Sequence, residues 1–217
     1  TYTPEDEAAV IFYGSIYGGT ENAANILASQ LSQAGVNDVK VYDVSKTHGS
    51  YLIAESFRAS HLVFCSATYN MGIFTPMKNF LNDLVAHNMQ NRKVAFVENG
   101  SWSPAAGQLM QDLVAQMPGM EQIGDLVTIR STPNEANVDQ LTDLAAAIAA
   151  SLAGDDSAVA AIPTSANAEP AAGTVEAAEK ATDVTTTWKC TVCGYIYECE
   201  GTELPADFVC PLCGKDA

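Results

Sequence analysis

Apolar residues in the first 150 positions follow two patterns, short continuous runs and stretches with helical spacing. The runs have the length and the β-branched or aromatic content of buried strands. They occupy residues 8–13, 39–42, 61–65, 94–97 and 126–129. Between the runs, apolar side chains recur every three or four residues, as at Ala24, Leu27, Ala28 and Leu31, which predicts amphipathic helices. The pattern therefore predicts an α/β fold.

Further helices are predicted over residues 50–57, after residue 75, after residue 103 and over residues 138–148. Two of them follow a hydroxyl residue and a proline, Thr75-Pro76 and Ser103-Pro104, which is typical of an N-cap with proline in the first turn. Alternating strands and helices favour a parallel sheet with helices on both faces. We predict a doubly wound sheet of five strands in the order 2-1-3-4-5, with ligands beyond the carboxyl ends of strands 1 and 3.

The turn after the first predicted strand is rich in glycine and hydroxyl residues. It consists of Ser15, Ile16, Tyr17, Gly18, Gly19 and Thr20. Backbone N–H groups and hydroxyls at the start of a helix can hold a phosphate. The turn lacks the lysine of a Walker loop and the glycine spacing of a dinucleotide fingerprint. It therefore predicts a mononucleotide with a terminal phosphate, and a plain strand-to-helix turn is the alternative.

Two later turns should reach the same edge of the sheet, because they follow the third and fourth predicted strands. The first contains Ser66, Ala67, Thr68, Tyr69, Asn70 and Gly72, and the second contains Asn99, Gly100, Ser101 and Trp102. Each combines small polar residues with one large aromatic ring. This composition suits a planar ligand rich in heteroatoms, such as an isoalloxazine, although either aromatic residue could simply cover the loop surface.

Composition changes sharply after residue 153. We predict a first domain over residues 1–153, a disordered linker over 154–187 that is poor in large apolar residues, and a small domain over 188–217. The last region carries two Cys-x-x-Cys pairs, Cys190 with Cys193 and Cys210 with Cys213, separated by 16 residues. Four thiolates at this spacing predict a tetrahedral iron or zinc site.

Charge and hydropathy limit the classes of function. The chain has 26 Asp and Glu residues against 10 Lys and Arg residues, a formal net charge of −16. Such an acidic chain argues against nucleic acid as a partner, and it permits docking to a basic protein. The sequence shows no apolar run long enough for a membrane span and no leader before the first strand, so we expect a cytoplasmic protein.

Three of these segments resemble the phosphate loop and the two flavin-flanking loops of flavodoxins, most closely those in the flavodoxin domain of flavodiiron proteins. The resemblance covers residues 8–152 and implies tightly bound FMN. Its phosphate would lie on residues 15–20. Its ring would lie between Thr68, Tyr69 and Asn70 on one side and Gly100, Ser101 and Trp102 on the other. Many relatives have a proline where this chain has Ala67.

The C-terminal region strongly resembles rubredoxin in residues 188–197 and 204–214. The resemblance implies a small metal-stapled β domain with one iron per chain, held by the four cysteines of the two pairs. A structural zinc site is the alternative, and zinc can also replace iron by misloading.

The order of the two regions resembles the C-terminal part of a flavorubredoxin, a family whose N-terminal diiron domain reduces nitric oxide or dioxygen. The resemblance implies electron transfer from iron to FMN and on to a diiron centre in an absent region or a separate chain. An NAD(P)H-dependent rubredoxin reductase would be the donor. This sequence has no His-rich diiron motif, so we predict no catalytic residue in it.

Two other functions stay open from the sequence. One is a stand-alone flavin-dependent NAD(P)H or quinone oxidoreductase, and the other is a flavodoxin-like binding module tethered to a structural zinc ribbon. The sequence also leaves open a homo-oligomer, and it leaves open whether electrons pass within one chain or between chains.

Overall fold

A computed structural model describes residues 2–164 of the chain and the backbone of two later strands, Thr185–Lys189 and Ile196–Glu200. The chain divides into two compact units, Thr1–Glu169 and Pro170–Ala217. In the second unit the two strands pair antiparallel, with Trp188 opposite Tyr197. The fold described below is that of the first unit.

The first unit alternates strands with helices. Its strands are β1 (Asp6–Gly14), β2 (Val39–Asp43), β3 (Ala59–Tyr69), β4 (Gly72–Ile73), β5 (Lys93–Asn99), β6 (Glu121–Ile123), β7 (Val127–Ile129) and β8 (Val159–Ala161). Its helices are α1 (Gly19–Gln33), α2 (Gly49–Arg58), α3 (Thr75–Ala86), α4 (Ala106–Val114) and α5 (Glu135–Leu152). The strands of the second unit are β9 (Thr185–Lys189) and β10 (Ile196–Glu200).

The sheet confirms the predicted α/β class. Strands β2, β1, β3 and β5 lie side by side and pair in parallel, and β5 also pairs in parallel with both β6 and β7. Two short strands thus share the fifth position, because Gly124, with φ +63°, interrupts the chain between them. The sheet also has two strands that the sequence did not predict, β4 beside β3 and β8 beside β6, both antiparallel.

Apolar residues cover both faces of the sheet, which explains why its strands read as continuous apolar runs. On one face, four phenylalanine rings pack with centroid separations between 4.8 and 6.3 Å: Phe12, Phe64, Phe80 and Phe96. On the other face, Ile11 and Val63 belong to a buried cluster with residues of α1 and α5. Both faces are therefore covered by helices, and the loops at the strand ends remain available for binding.

The prediction that Ser103 caps a helix is wrong. Helix α4 begins at Ala106, and its first N–H groups are capped from another part of the chain. The Thr68 hydroxyl oxygen accepts hydrogen bonds from the N–H groups of Ala105 (3.1 Å) and Ala106 (3.2 Å). The other predicted cap is shifted by one position, since Thr75 is the first residue of α3 and Phe74 is its N-cap.

The described chain continues on the sheet beyond the predicted domain boundary at residue 153. Strand β8 places Val159 opposite Ile123 and Ala161 opposite Glu121. Residues 159–161, assigned to the linker in the sequence prediction, therefore extend the sheet edge. Within the described residues, no helix is long and apolar enough to cross a membrane.

A buried histidine anchors this extension. His61 lies on β3, where its Nδ1 is 2.8 Å from the Ser60 hydroxyl and its Nε2 is 3.1 Å from the Ser151 hydroxyl. Ser151 donates to an Asp156 carboxylate oxygen at 2.7 Å, and Lys93 forms an ion pair with the same carboxylate. His61 therefore takes part in a polar network that links β3 to the end of α5 and to the segment before β8. Burial, and then the charge of Lys93, lowers its pKa from 6.5 to about 4.

This lowered pKa predicts a specific pH dependence of stability. The unfolded chain binds a proton at His61 near pH 6.5 and the folded chain only near pH 4. The stability due to neutral His61 is therefore complete above pH 6.5 and is lost as the pH falls through 4. Between pH 7 and pH 4, the free energy of unfolding of the wild type should fall by about 3 kcal/mol more than that of His61→Gln. Urea unfolding across this range measures the difference, and parallel curves for the two proteins would contradict the role given to His61.

Candidate functional site

Four loops meet at the carboxyl ends of the parallel strands and enclose a cleft of about 190 Å³. Twelve residues line it: Ser15, Ile16, Tyr17, Gly19, Thr20, Ala67, Thr68, Asn99, Gly100, Ser101, Ser131 and Thr132. The first ten come from the three turns that the sequence singled out. The last two come from a fourth loop, after β7, that sequence reasoning missed. The structure therefore brings the predicted turns together at one place.

The loop between β1 and α1 has the features of an anion site. Gly18 precedes the helix with φ 86°, a conformation that glycine adopts without strain, and its N–H donates to the Ser15 hydroxyl at 3.0 Å. Its N-cap residue, Gly18, has no side chain with which to cap α1. The first N–H groups of this helix are thus left to a ligand or to water, and the positive end of the helix dipole lies at the cleft. This arrangement fits a phosphate.

The fourth loop is fixed to the third by one asparagine side chain. The Asn99 amide donates from Nδ2 to the Ser131 carbonyl at 2.9 Å, and its Oδ1 accepts from the Ser131 N–H at 3.1 Å. The Ser131 and Ser101 hydroxyl oxygens are 2.8 Å apart. These bonds hold Ser131 in the left-handed region, with φ 68°, which non-glycine residues rarely adopt. The only sequence signal for this loop is its pair of hydroxyl residues at a strand end.

Close packing also joins the fourth loop to the first. A Cβ added to Gly19 would lie 1.9 Å from the Ser131 carbonyl oxygen and 2.8 Å from the Asn99 side-chain nitrogen. Only a glycine therefore lets the start of α1 approach this carbonyl so closely. Glycine is required at this point of the phosphate loop for a packing reason that the sequence alone does not reveal.

The loop after β3 is a tight hairpin. Thr68 and Tyr69 on β3 pair with Ile73 and Gly72 on β4, and the two residues between, Asn70 and Met71, both have positive φ values of 49° and 57°. Such a two-residue turn fits the twist of paired strands. The Tyr69 ring packs edge-on against Phe74, with centroids 6.4 Å apart. Main-chain pairing thus shapes this loop, which has Ala67 in place of a proline.

Two of the predicted aromatic residues are almost fully exposed to solvent. Tyr17, which lines the cleft, is 98% exposed, and Trp102, which follows the lining residue Ser101, is 94% exposed. Ser66 is fully buried, and its hydroxyl donates to the Ala67 carbonyl at 3.0 Å. The four cysteines predicted to bind metal, Cys190, Cys193, Cys210 and Cys213, lie outside the described residues. Among the described residues, no group of three His, Cys, Asp or Glu side chains could hold a metal ion.

Charged groups near the phosphate loop are already paired. Lys46 forms a 2.9 Å ion pair with Asp43, and the hydrogen bond to this carboxylate raises the pKa of Lys46. The Tyr13 hydroxyl donates to Glu21 at 3.2 Å, and burial, followed by the charge of Asp43, raises the pKa of Tyr13. A phosphate on this loop would therefore depend on N–H groups and hydroxyls rather than on a lysine.

One cation does lie at the site. Arg130 immediately precedes the fourth loop, and its Nη1 is 3.5 Å from the Trp102 carbonyl oxygen. Of the seven Lys and Arg residues within 2–164, four form ion pairs and Arg92 is held by main-chain carbonyls. The other two in this range, Lys78 and Arg130, also form no ion pair. Arg130 therefore places positive charge beside a loop predicted to flank the flavin.

Family comparisons match the two regions separately. Residues 11–143 match the flavodoxin family, and residues 188–217 match the family described as "Rubrerythrin, rubredoxin-like domain". A flavodoxin domain implies FMN and a rubredoxin-like domain implies iron, so the matches confirm the two predicted cofactors. The uncapped start of α1 at a hydroxyl-lined cleft fits the FMN phosphate.

Two curated relatives are redox proteins. The rubredoxin-oxygen oxidoreductase of Megalodesulfovibrio gigas is 27% identical over 143 residues, covering 66% of this chain and 35% of the relative. The anaerobic nitric oxide reductase flavorubredoxin of Vibrio vulnificus is 24% identical over 246 aligned positions, covering 98% of this chain and 48% of the relative. The chain thus spans between about a third and a half of the length of these relatives.

Solved structures show the same fold. The rubredoxin oxygen:oxidoreductase structure from Desulfovibrio gigas superposes with a TM-score of 0.66 at 25% identity, covering 70% of this chain and 37% of that one. A flavodoxin from the domain Archaea superposes with a TM-score of 0.59 at 24% identity, covering 67% of this chain and 99% of that one. The second likeness concerns the fold alone.

The contact between Gly19 and Ser131 gives a test of the site with a matched control. Gly19→Ala should weaken FMN binding about tenfold or more, because the added Cβ pushes the fourth loop away from the phosphate loop. Gly49→Ala is the control, since Gly49 also begins a helix after a strand and its added Cβ would meet open space. Fluorescence titration of the apoprotein with FMN measures both affinities. Equal affinities for the two variants would show that the approach of these loops does not shape the binding site.

Proposed function

The chain belongs to the flavodoxin family, and on that premise we propose that it passes electrons from a four-cysteine iron centre to FMN and on to a diiron centre. Its flavodoxin-like and rubredoxin-like domains identify it as an electron-transfer module. The observation that carries the proposed order is the presence of both domains in one chain, as in a flavorubredoxin relative that aligns with 98% of it.

We propose that residues of the four loops hold the FMN. The N–H groups at the start of α1, with the hydroxyls of Ser15 and Thr20, would bind the phosphate. The cleft volume, about 190 Å³, is below the range of roughly 300 to 1,000 Å³ typical of pockets that enclose a ligand. The cleft would therefore take the phosphate end, and the flat ring would lie at the surface beside Tyr69 and Trp102.

An exposed ring suits electron transfer. FMN supplies chemistry that exchanges electrons singly or in pairs, and the protein positions it and tunes its potential. The side chains that line the cleft are small and polar, and the described residues around it include no pairing of a nucleophile with a base. The role of this chain's residues is therefore to bind the phosphate, orient the ring and leave one edge open to a partner.

The C-terminal cysteines would hold the iron. We propose Cys190, Cys193, Cys210 and Cys213 as the four ligands, because thiolates in two Cys-x-x-Cys pairs suit a tetrahedral iron centre. Residues 188–217, which match the rubredoxin-like family, include all four cysteines. The chain between β8 and β9 would connect this centre to the flavodoxin-like domain.

The partners follow from the relatives. One relative is named a rubredoxin-oxygen oxidoreductase and another a nitric oxide reductase flavorubredoxin. We propose an NAD(P)H-dependent rubredoxin reductase as donor and a diiron domain or protein that reduces nitric oxide or dioxygen as acceptor. The acceptor would lie in a part of the protein outside this sequence or in a separate chain.

Removal of one proposed iron ligand tests the electron order. Cys210→Ser should still bind FMN but should lose at least about nine tenths of the rate of FMN reduction by a rubredoxin reductase with NADH, because the iron route is broken. Stopped-flow absorbance of the flavin band measures the rate, and metal analysis gives the iron content.

Cys199→Ser is the matched control, because Cys199 lies in the same region outside both pairs. It should keep both the iron and the rate. Unchanged flavin reduction in Cys210→Ser would contradict the proposed order. Stoichiometric zinc in the wild type, under iron-replete expression, would favour the structural zinc site instead.

A further inference from the structure

A buried carboxylate lies directly beneath the loop that would flank the flavin ring. Glu98 is the last but one residue of β5 and is only 5% exposed. Its Oε2 accepts a hydrogen bond from the Gly107 N–H at 2.8 Å, and its Oε1 accepts from the Thr128 hydroxyl at 2.8 Å. Both oxygens act as acceptors, which is the pattern of an ionised carboxylate.

Gly107 and the start of α4 leave space for the Glu98 carboxylate and stabilise its charge. A Cβ added to Gly107 would lie 3.0 Å from the Glu98 carboxyl carbon, so a larger residue there would crowd the carboxylate. Gly107 is in the first turn of α4, where the positive end of the helix dipole stabilises a negative group. No Lys or Arg of the described residues pairs with Glu98. The negative charge of Glu98 is thus stabilised by the Gly107 N–H, the Thr128 hydroxyl and the helix dipole, and no cation of the described residues neutralises it.

The next residues along the chain lead into the cleft. The Asn99 side chain hydrogen-bonds the Ser131 main chain in the fourth loop, and Gly100 and Ser101 line the cleft. The buried carboxylate therefore belongs to the residue that directly precedes Asn99, Gly100 and Ser101, which line the cleft and would contact the ring. A charge in this low-dielectric position is less screened than one on the surface.

Resting on the proposed FMN site, we propose that Glu98 lowers the reduction potential of the bound flavin through its charge. Full reduction of FMN adds two electrons and one proton, so at neutral pH the reduced ring gains one negative charge. A nearby buried carboxylate repels that charge and favours the oxidised form. The chain would thereby keep its flavin a strong donor toward the acceptor. Glu98 would act through its charge alone, because its side chain bonds Gly107 and Thr128 and does not line the cleft.

Replacement by glutamine isolates the charge. In Glu98→Gln, the amide oxygen can still accept from the Gly107 N–H, and the amide nitrogen can donate to the Thr128 oxygen. We expect this variant to bind oxidised FMN as the wild type does. Its affinity for reduced FMN relative to oxidised FMN should rise about tenfold, the order expected for a partly buried unit charge. For a two-electron couple this is a shift of about 30 mV to a more positive potential.

The measurement is a dithionite titration of the FMN-loaded full chain against a reference dye, with dithionite as the electron donor. The matched control is Glu135→Gln, which removes the same charge from an exposed position in the first turn of α5. Its shift should be smaller and should vanish in 1 M salt, where screening acts within about 3 Å, while that of Glu98→Gln should persist.

A third variant separates charge from packing. Glu98→Asp keeps the charge but shortens the reach to Gly107 and Thr128, so it should destabilise the fold while leaving the potential near that of the wild type. A potential that shifts in Glu98→Asp and not in Glu98→Gln would overturn the proposal, as would equal shifts in Glu98→Gln and Glu135→Gln. Absence of FMN binding by the wild type would instead contradict the proposed function itself.

Discussion

The candidate site depends on the two hydrogen bonds between the Asn99 side chain and the Ser131 main chain. They hold a serine in a left-handed conformation that it would not adopt alone. They also place its carbonyl where only a glycine at position 19 can approach it. Three loops are thereby fixed relative to one another at the end of the sheet. The loop after β3 is tied to α4 through Thr68, and the end of β5 is tied to α4 through Glu98. The segments predicted to flank the flavin therefore form one connected unit.

Two helix starts at the same sheet edge differ in a way that assigns their roles. The first N–H groups of α4 are used by Thr68 and Glu98. Helix α1, by contrast, begins at Gly19 after Gly18, which has no side chain with which to cap the helix, and only the Gly18 N–H itself donates to the Ser15 hydroxyl. Because an uncapped helix start attracts anions, the phosphate is expected at α1 rather than at α4. Most Lys and Arg side chains of residues 2–164 already bond carboxylates or main-chain carbonyls. A phosphate therefore has to be held mainly by N–H groups, which the start of α1 offers.

Much of the fold and most of the cleft could be predicted from sequence. Buried parallel strands are continuous apolar runs, and their carboxyl ends meet at one edge, so three of the turns that meet at the cleft could be predicted. The missing parts depend on contacts between distant residues. Ser131 is a site residue because Asn99 holds it, and α4 begins at Ala106 because Thr68, more than 30 positions earlier, caps it. Strand β8 escaped prediction because its short, alanine-rich sequence lacks a strand pattern and depends on β6 for pairing.

We expect this edge of the sheet to bind FMN through its phosphate without a lysine. Riboflavin has the same ring and ribityl chain but no phosphate, so the affinities of the apoprotein for FMN and for riboflavin can be compared directly. FMN should bind about a hundredfold more tightly or better, because several N–H groups and hydroxyls at the start of α1 would hold the phosphate. Equal affinities for the two ligands would contradict this expectation.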